Sequence, residues 1–178
     1  MDIDKVILKI NIKTILNSLR DILINALIAI LIVIFYIFIF EEAPPALLYI
    51  VLLLFFIIFY LYPTISIFYS YYTHDHNVEI DLDSEGFFYT KDKKKIRYIV
   101  KDIKEVNVFL TAYKKNNESA RLAHTKFFFT EIVMVSGTSI ILTSLLSENL
   151  YKELIKFYSN VPFNFKVVKN TSLKKNII

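Results

Sequence analysis

The sequence predicts an α+β membrane protein: a two-helix transmembrane hairpin, then an antiparallel β-domain that a C-terminal helix closes. Three observations predict this fold. Residues 22–72 hold most of the apolar excess of a chain that is 55% hydrophobic. Residues 77–146 then change to short segments in which apolar and polar side chains alternate, as in strands. Residues 148–159 finally repeat apolar side chains at helical spacing.

Two uncharged runs predict the transmembrane helices. Residues 22–40 contain one amide, Asn25, and no charge. A helix of that length spans roughly 28 Å, close to the hydrocarbon thickness of a bilayer. Residues 46–62 form a second uncharged run, and we expect its helix to extend to about residue 66. Neither run has the polar stripe of a helix at a soluble surface, so residues 21–72 are predicted to form a membrane hairpin.

The segment EEAPP at residues 41–45 predicts the external turn of the hairpin. Two acids end the first helix, and two prolines prevent its continuation and suit the first turn of the next. The turn has no Lys or Arg, whereas Lys5, Lys9, Lys13 and Arg20 precede the first helix. The positive-inside bias therefore predicts that both termini are cytoplasmic. A composition typical of AT-rich bacterial genes indicates the bacterial cytoplasmic (inner) membrane.

The two ends of the chain receive different predictions. Residues 1–20 place apolar side chains mostly at helical spacing, with lysines on the other face. This pattern predicts an amphipathic helix at the cytoplasmic membrane surface, or alternatively an extension of the first transmembrane helix packed on the soluble domain. Residues 161–178 are predicted to be a frayed tail.

Residues 77–160 are predicted to form the cytoplasmic domain. NVEIDLD alternates apolar and acidic side chains, and short turns separate it from FFYTKD and IRYIV. EVNVFLTAY, KFFFTEIVMV and SIILTSLL follow as strands, and Ser147 is a good N-cap for the last helix. In FFF, Phe128 must point opposite to Phe127 and Phe129. We therefore expect the barrel core on one side of that strand, and the stalk that follows the second transmembrane helix, lipid or a second subunit on the other.

These motifs resemble pleckstrin-homology-like (PH-like) domains. EIDLDSEGFFYTKDKKKIRYIVKDIKEVNVFLT is similar to the first half of bacterial PH domains, and EIVMVSGTSIILTSLLSENLYKEL to the second. Two transmembrane helices ahead of such a domain resemble YcxB-like and related small bacterial membrane proteins. The chain departs from that pattern at Ile99 and Val100, where a tryptophan often precedes the D-I element. The resemblance implies a PH-like β-barrel or sandwich that binds lipids, peptides or other copies, without catalysis.

Two basic clusters are the candidate contact residues for a lipid headgroup or another ligand. Residues 91–97, KDKKKIR, carry five positive charges between two predicted strands, and a second cluster lies in a later loop. The alternative for the first cluster is a solvated turn that keeps a strand edge from self-pairing. The candidate residues are Lys93, Lys94, Lys95, Arg97, Lys114, Lys115 and Arg121.

The sequence does not support catalysis, a cofactor site, a metal site or nucleic-acid binding. There are no cysteines, two glycines and three histidines, so no nucleophilic triad, phosphate loop or cofactor motif assembles. His74 and His76 flank Asp75, but two imidazoles on a stalk are more typical of a solvated linker than of a metal site. The alternating acids of residues 79–85 fit the outer face of a half-buried strand. The mild positive charge without a basic helix does not predict nucleic-acid binding.

The sequence therefore predicts a non-catalytic, membrane-anchored cytoplasmic binding or assembly module. Its expected partners are membrane lipid and either a protein partner or further copies of itself. The alternative is a ligand-gated membrane effector of the bacterial defence type, whose cytoplasmic domain senses a small molecule while its hairpins oligomerise and perturb the membrane. Few polar side chains are present to line a pore, although a hydrophobic gate could act by wetting and dewetting.

Overall fold

The computed structural model of the chain describes residues 5–40, 45–116 and 122–173. It contains a long helical segment and two four-stranded sheets. The helices are α1 (Ile12–Phe40), α2 (Ala46–Phe56), a π-helical turn (Ile57–Leu61), α3 (Tyr62–Asp75), α4 (Ala112–Lys115) and α5 (Leu150–Phe157). The strands are β1 (Val6–Lys9), β2 (Val78–Asp83), β3 (Gly86–Lys91), β4 (Lys94–Ile99), β5 (Ile103–Leu110), β6 (Phe129–Met134), β7 (Ser139–Thr143) and β8 (Phe163–Val167).

Two helices are long and apolar enough to cross a membrane. Within the described residues they cover Ile12–Ile39 and Ala46–Asp75, and almost none of the side chains in their most apolar stretches is buried. Asn25 Nδ2 donates to Tyr60 Oη at 3.2 Å and ties the two helices together. The π-helical turn precedes Pro63, which occupies the first turn of α3, where its missing N–H is best tolerated. Residues 41–44 of the predicted external turn lie outside the described chain.

Sheet A contains β1, β2, β3 and β4 in that order, all antiparallel. Its first strand corrects the predicted helix over residues 1–20 at residues 6–9, whereas residues 12–20 are helical as the first part of α1. Val6 pairs with Leu82 and Lys9 with Glu79, so β1 completes the sheet that begins again after the helices. Burial alternates along β1 as in a strand, with Leu8 buried and Ile7 exposed. The core that buries Leu8 is formed by residues distant in the sequence, so the local pattern alone does not reveal the strand.

Sheet B has the order β7, β6, β5, β8, and it is a mixed sheet. β8 runs parallel to β5, with Val106 opposite Phe163, which corrects the expectation of a purely antiparallel domain. It also corrects the frayed tail over 161–178, because the described part of that segment is ordered by sheet pairing and by packing of Leu173. The predicted boundaries 77–160 thus leave out one strand of each sheet.

Two clusters of buried side chains organise the domain. The larger cluster joins the inner faces of both sheets to α5, with Ile80, Phe87 and Leu154 among its fully buried members. Tyr158 after α5 donates its hydroxyl to the Gly86 carbonyl oxygen at 2.5 Å, which ties the helical end to sheet A. The desolvation of this hydroxyl raises the pKa of Tyr158 above its ordinary, already alkaline value.

The smaller cluster fixes α3 to the β-domain. Ile67 and Tyr71 of α3 pack against Phe127 and Phe129, while Phe128 belongs to the larger cluster. The prediction that this strand faces the core on one side and a different surface on the other is therefore confirmed, and that surface is α3. Tyr71 also donates its hydroxyl to the Thr171 carbonyl oxygen at 2.8 Å, so the segment after β8 fastens the same helix.

Candidate functional site

One end of the β-domain, here called the hairpin end, is where α1 and α3 join the sheets. The pairing of sheet A places Lys9, Val78 and the turn between β3 and β4 at this end. Lys91 Nζ donates to the His74 carbonyl oxygen at 3.3 Å, which places the turn at the foot of α3. The turn residues Asp92 and Lys93 both have positive φ, as a two-residue hairpin turn with the right twist requires.

A cleft of about 700 Å³ opens at the hairpin end between β1, the foot of α3 and the β3–β4 turn. Asn77 Nδ2 donates to Asp92 Oδ1 at 3.3 Å along its rim. The cleft carries cationic and anionic side chains together, and its Asp75 carboxylate is already bonded to Thr143. Its acidic and basic lining residues are Lys9, Lys93, His76, Asp75, Glu79 and Asp92.

The second predicted basic cluster also lies at the hairpin end, beside sheet B. β5 ends at Leu110, and α4 begins two residues later with Thr111 as its N-cap, whose hydroxyl accepts from the Lys114 N–H. Lys114 Nζ lies 5.3 Å from the centre of the Phe128 ring, and burial lowers the pKa of this lysine. Lys126, in the following connection, forms an ion pair with Asp21 of α1.

Lys95 and Arg97 lie away from the hairpin end, on the outer face of sheet A. Arg97 contacts both carboxylate oxygens of Asp83, and its hydrogen bonds lower the pKa of that carboxyl group. Lys95 Nζ and Arg97 Cζ lie 4.3 Å and 4.4 Å from the centre of the Phe88 ring. The structure thus brings Lys93 and Lys94 to the same end as the α4 lysines but separates Lys95 and Arg97 from them. Arg121 lies outside the described residues.

Asp75 is an interaction centre that the sequence did not reveal. Its carboxylate is fully buried at the last turn of α3 and accepts from the Thr143 N–H at 3.1 Å and hydroxyl at 2.5 Å. His74 Nδ1 lies 2.8 Å from its other oxygen. The HDH motif is therefore partly a docking element, and no group of three His, Cys, Asp or Glu side chains within the described ranges is arranged to hold a metal. The sequence did contain a signal for the buried carboxylate of Asp75: an acid at the end of an apolar helix, just before a strand.

Comparisons with known proteins assign the fold. A family model described as a PH domain matches residues 8–153, most of the chain. The chain belongs to this PH domain family. The matched range begins in β1, passes through the helical segment and ends in α5, in agreement with the position of β1 in sheet A. PH-like domains are generally non-catalytic binding modules, so at this level the protein is a binding or assembly module.

Solved structures add only a distant likeness. One similar chain belongs to a structure of the Spt16D Pob3N heterodimer, at 13% identity and a TM-score of 0.33. The alignment covers 52% of the present chain and 48% of that chain, so this PH-domain protein spans about half the length of the solved relative. No curated protein sequence matches significantly.

Proposed function

We propose that this PH-domain protein is a membrane-anchored cytoplasmic module whose hairpin end contacts anionic lipid headgroups. The two apolar helices span the bacterial cytoplasmic membrane, with both termini and the β-domain on the cytoplasmic side. Support for this comes from helix length and hydropathy, together with the basic residues that precede the first helix. The helices enter the domain between β1 and β2, so the hairpin end is the part nearest the bilayer.

The observation that carries the proposal is the convergence of two basic clusters on that end. Lys93 and Lys94 come from sheet A, whereas Lys114 and Lys115 come from the connection after β5 in sheet B. A basic side chain near an anionic leaflet contributes about 1 kcal/mol, so the three exposed lysines, Lys93, Lys94 and Lys115, supply about 3 kcal/mol of attraction before side-chain ordering is subtracted. Lys114 adds less, because it is half-buried against Phe128. Because the hairpin already holds the domain at the surface, this attraction has only to orient it.

The test measures headgroup contact in the full-length protein. The chain is reconstituted in nanodiscs of zwitterionic lipid or of zwitterionic and anionic lipid, each with a spin-labelled headgroup. The NMR signals of Lys93, Lys94, Lys114 and Lys115 are then compared. We expect stronger broadening in the anionic discs, weakened by added salt. Equal broadening in both lipids would reject anionic recognition, and no broadening in either would reject contact itself.

A matched pair of variants separates the lysine positions from total charge. Lys93→Gln with Lys94→Gln should abolish the difference between the two lipids at the β3–β4 turn. Lys101→Gln with Lys104→Gln removes the same charge from the opposite end of the sheets and should leave the difference intact. Equal effects of the two double variants would indicate a response to net charge alone.

A further inference from the structure

β4 is an open edge of sheet A. Within the described ranges, β3 is its one strand neighbour. The two-residue turn before β4 and the bond from the Val100 N–H to the Glu85 carbonyl oxygen, at 2.9 Å, fix the alternation of hydrogen bonds along it. This alternation directs the backbone N–H and C=O groups of Lys95, Arg97 and Ile99 away from β3. Three alternate residues therefore present backbone donors and acceptors for another strand.

The side chains of β4 combine positive charge with exposed apolar surface. The strand contains Lys94, Lys95 and Arg97 and no acid. Ile96 and Ile99 remain 47% and 45% exposed, which is high for isoleucines in a sheet. Lys95 and Arg97 are held over the same phenylalanine ring, so their positions on the outer face are constrained.

The charges of β4 discriminate between possible occupants. In an antiparallel pair of two copies, basic residues of one β4 would lie opposite basic residues of the other, which is unfavourable. Lysines on an edge strand protect proteins from self-pairing in this manner. Asp83 and Asp81 of the same sheet already lie beside Arg97 and Lys95. β4 itself carries no acid, however, and its Lys94 and Lys95 remain exposed, so charge favours a different, acidic partner over a second copy.

The molecule already contains such a pairing at its other edge. β2 alternates apolar residues with Glu79, Asp81 and Asp83, and it pairs with the lysine-flanked strand β1. Lys5 Nζ lies 2.7 Å from Asp81 Oδ2, and a lysine at the far end of β1 lies 3.9 Å from Glu79. An alternating acidic and apolar strand beside a basic strand is thus a stable arrangement in this sheet.

We propose that β4 accepts an extended acidic segment of a partner protein as a fifth strand of sheet A. The segment alternates acidic side chains, which lie beside Lys95 and Arg97 on the outer face, with apolar side chains, which cover Ile96 on the inner face. Main-chain hydrogen bonds supply affinity, and the alternation supplies specificity. This interaction does not depend on lipid contact at the hairpin end.

The first experiment uses the sequence of β2 as a probe. A fluorescent peptide NVEIDLD, corresponding to residues 77–83 with blocked ends, is titrated into the full-length protein in nanodiscs of zwitterionic lipid. Two control peptides replace its acids by the corresponding amides or N-methylate alternate backbone nitrogens. We expect both controls to bind about tenfold more weakly or worse, and photo-cross-links from the acidic peptide to map to β4. Equal binding of the N-methylated peptide would show that the peptide is held by charge alone and not by main-chain hydrogen bonds. Cross-links confined to β1 or β3 would show that the peptide replaces β2 within sheet A instead of adding to β4. Either result overturns the proposal, as does no binding.

A matched pair of variants tests whether the acidic peptide binds at the β4 edge. Lys95→Glu should weaken binding about tenfold, since it places an acid beside the acids of the probe. Lys166→Glu is the control: Lys166 lies on β8, an edge strand of sheet B, and its ammonium group likewise lies over a phenylalanine ring, that of Phe109. This variant should leave binding of the probe unchanged. Thermal unfolding of both variants establishes that they fold. Equal losses in the two variants, or protein dimers cross-linked through β4, would refute the assignment of an acidic partner to this edge.

Discussion

Replacing Thr143 by valine should loosen the attachment of α3 to the β-domain. Asp75 ends this helix with its carboxylate fully buried, and the Thr143 hydroxyl donates to it at 2.5 Å. Valine keeps the branched shape of the side chain but removes the donor. The carboxylate oxygen then retains only the Thr143 N–H, at 3.1 Å, of its two donors from β7.

The expected loss follows from the charge of the acceptor. Hydrogen bonds to charged groups contribute about 1.5–3 kcal/mol, because a buried charge left without a partner keeps its desolvation cost. We therefore expect Thr143→Val to lower the free energy of unfolding by about 2 kcal/mol. For a chain of 178 residues, a loss of about 2 kcal/mol corresponds to a fall in Tm of about 4–8 °C.

The assay is thermal unfolding of the full-length protein in detergent, followed by circular dichroism, with hydrogen exchange measured on α3. Thr130→Val is the matched control, because Thr130 is equally buried but its hydroxyl donates to the neutral Leu142 carbonyl oxygen at 3.4 Å. We expect it to cost less than about 1 kcal/mol and to leave exchange in α3 unchanged. If Thr143→Val is no more destabilising than Thr130→Val, the buried carboxylate does not hold α3 in place.

Three further substitutions test the sheets and the cluster beneath α3. Arg97→Gln should return the pKa of Asp83 toward its ordinary value, measured by carboxyl NMR. Because the folded-state pKa of Asp83 is lowered, its contribution to stability is present above about pH 4 and is lost as pH falls through the folded value; the variant should lose this acid dependence. Gly86→Ala should destabilise by about 3 kcal/mol in chemical denaturation, since its new Cβ would lie 2.0 Å from a backbone carbonyl oxygen of β4; a near-neutral effect would contradict the β3–β4 register. Phe127→Ala should raise hydrogen exchange in α3 selectively, whereas Phe128→Ala should cost about 3–5 kcal/mol across the whole domain; indistinguishable exchange patterns would refute the division into two clusters.

The helices and most strands were predictable because their signals are local. Uncharged runs long enough for a bilayer identify α1 and the helix from Ala46, and alternation identifies β2 and β6. β1 was missed because four apolar and basic residues fit either periodicity, and its partner strand lies beyond the helices. β8 did carry a local signal, since Phe163, Phe165 and Val167 alternate with polar residues, but its parallel pairing depends on the position of β5.

The candidate site was predictable in composition but not in arrangement. The sequence identifies the lysines of both basic clusters, but only the register of β3 with β4 shows that Lys94 lies at the turn while Arg97 lies farther along the outer face. Likewise, Asp75 appears from sequence to belong to a solvated linker. Its burial depends on the docking of α3 against β7, a contact between residues 68 positions apart. Such distant contacts leave no local pattern.

The position of the helices inside sheet A has a consequence for biogenesis. β1 leaves the ribosome before β2, its partner strand, and residues 10–77, which include both long helices, separate the two. Pairing across so long a separation is intrinsically slow, and here it requires the helices to have folded back on themselves. In the proposed membrane-anchored state, insertion of the hairpin would bring the two strands together and act as a step in the maturation of the β-domain. A soluble fragment beginning at residue 77 would emerge without that strand, with β2 as an unprotected edge.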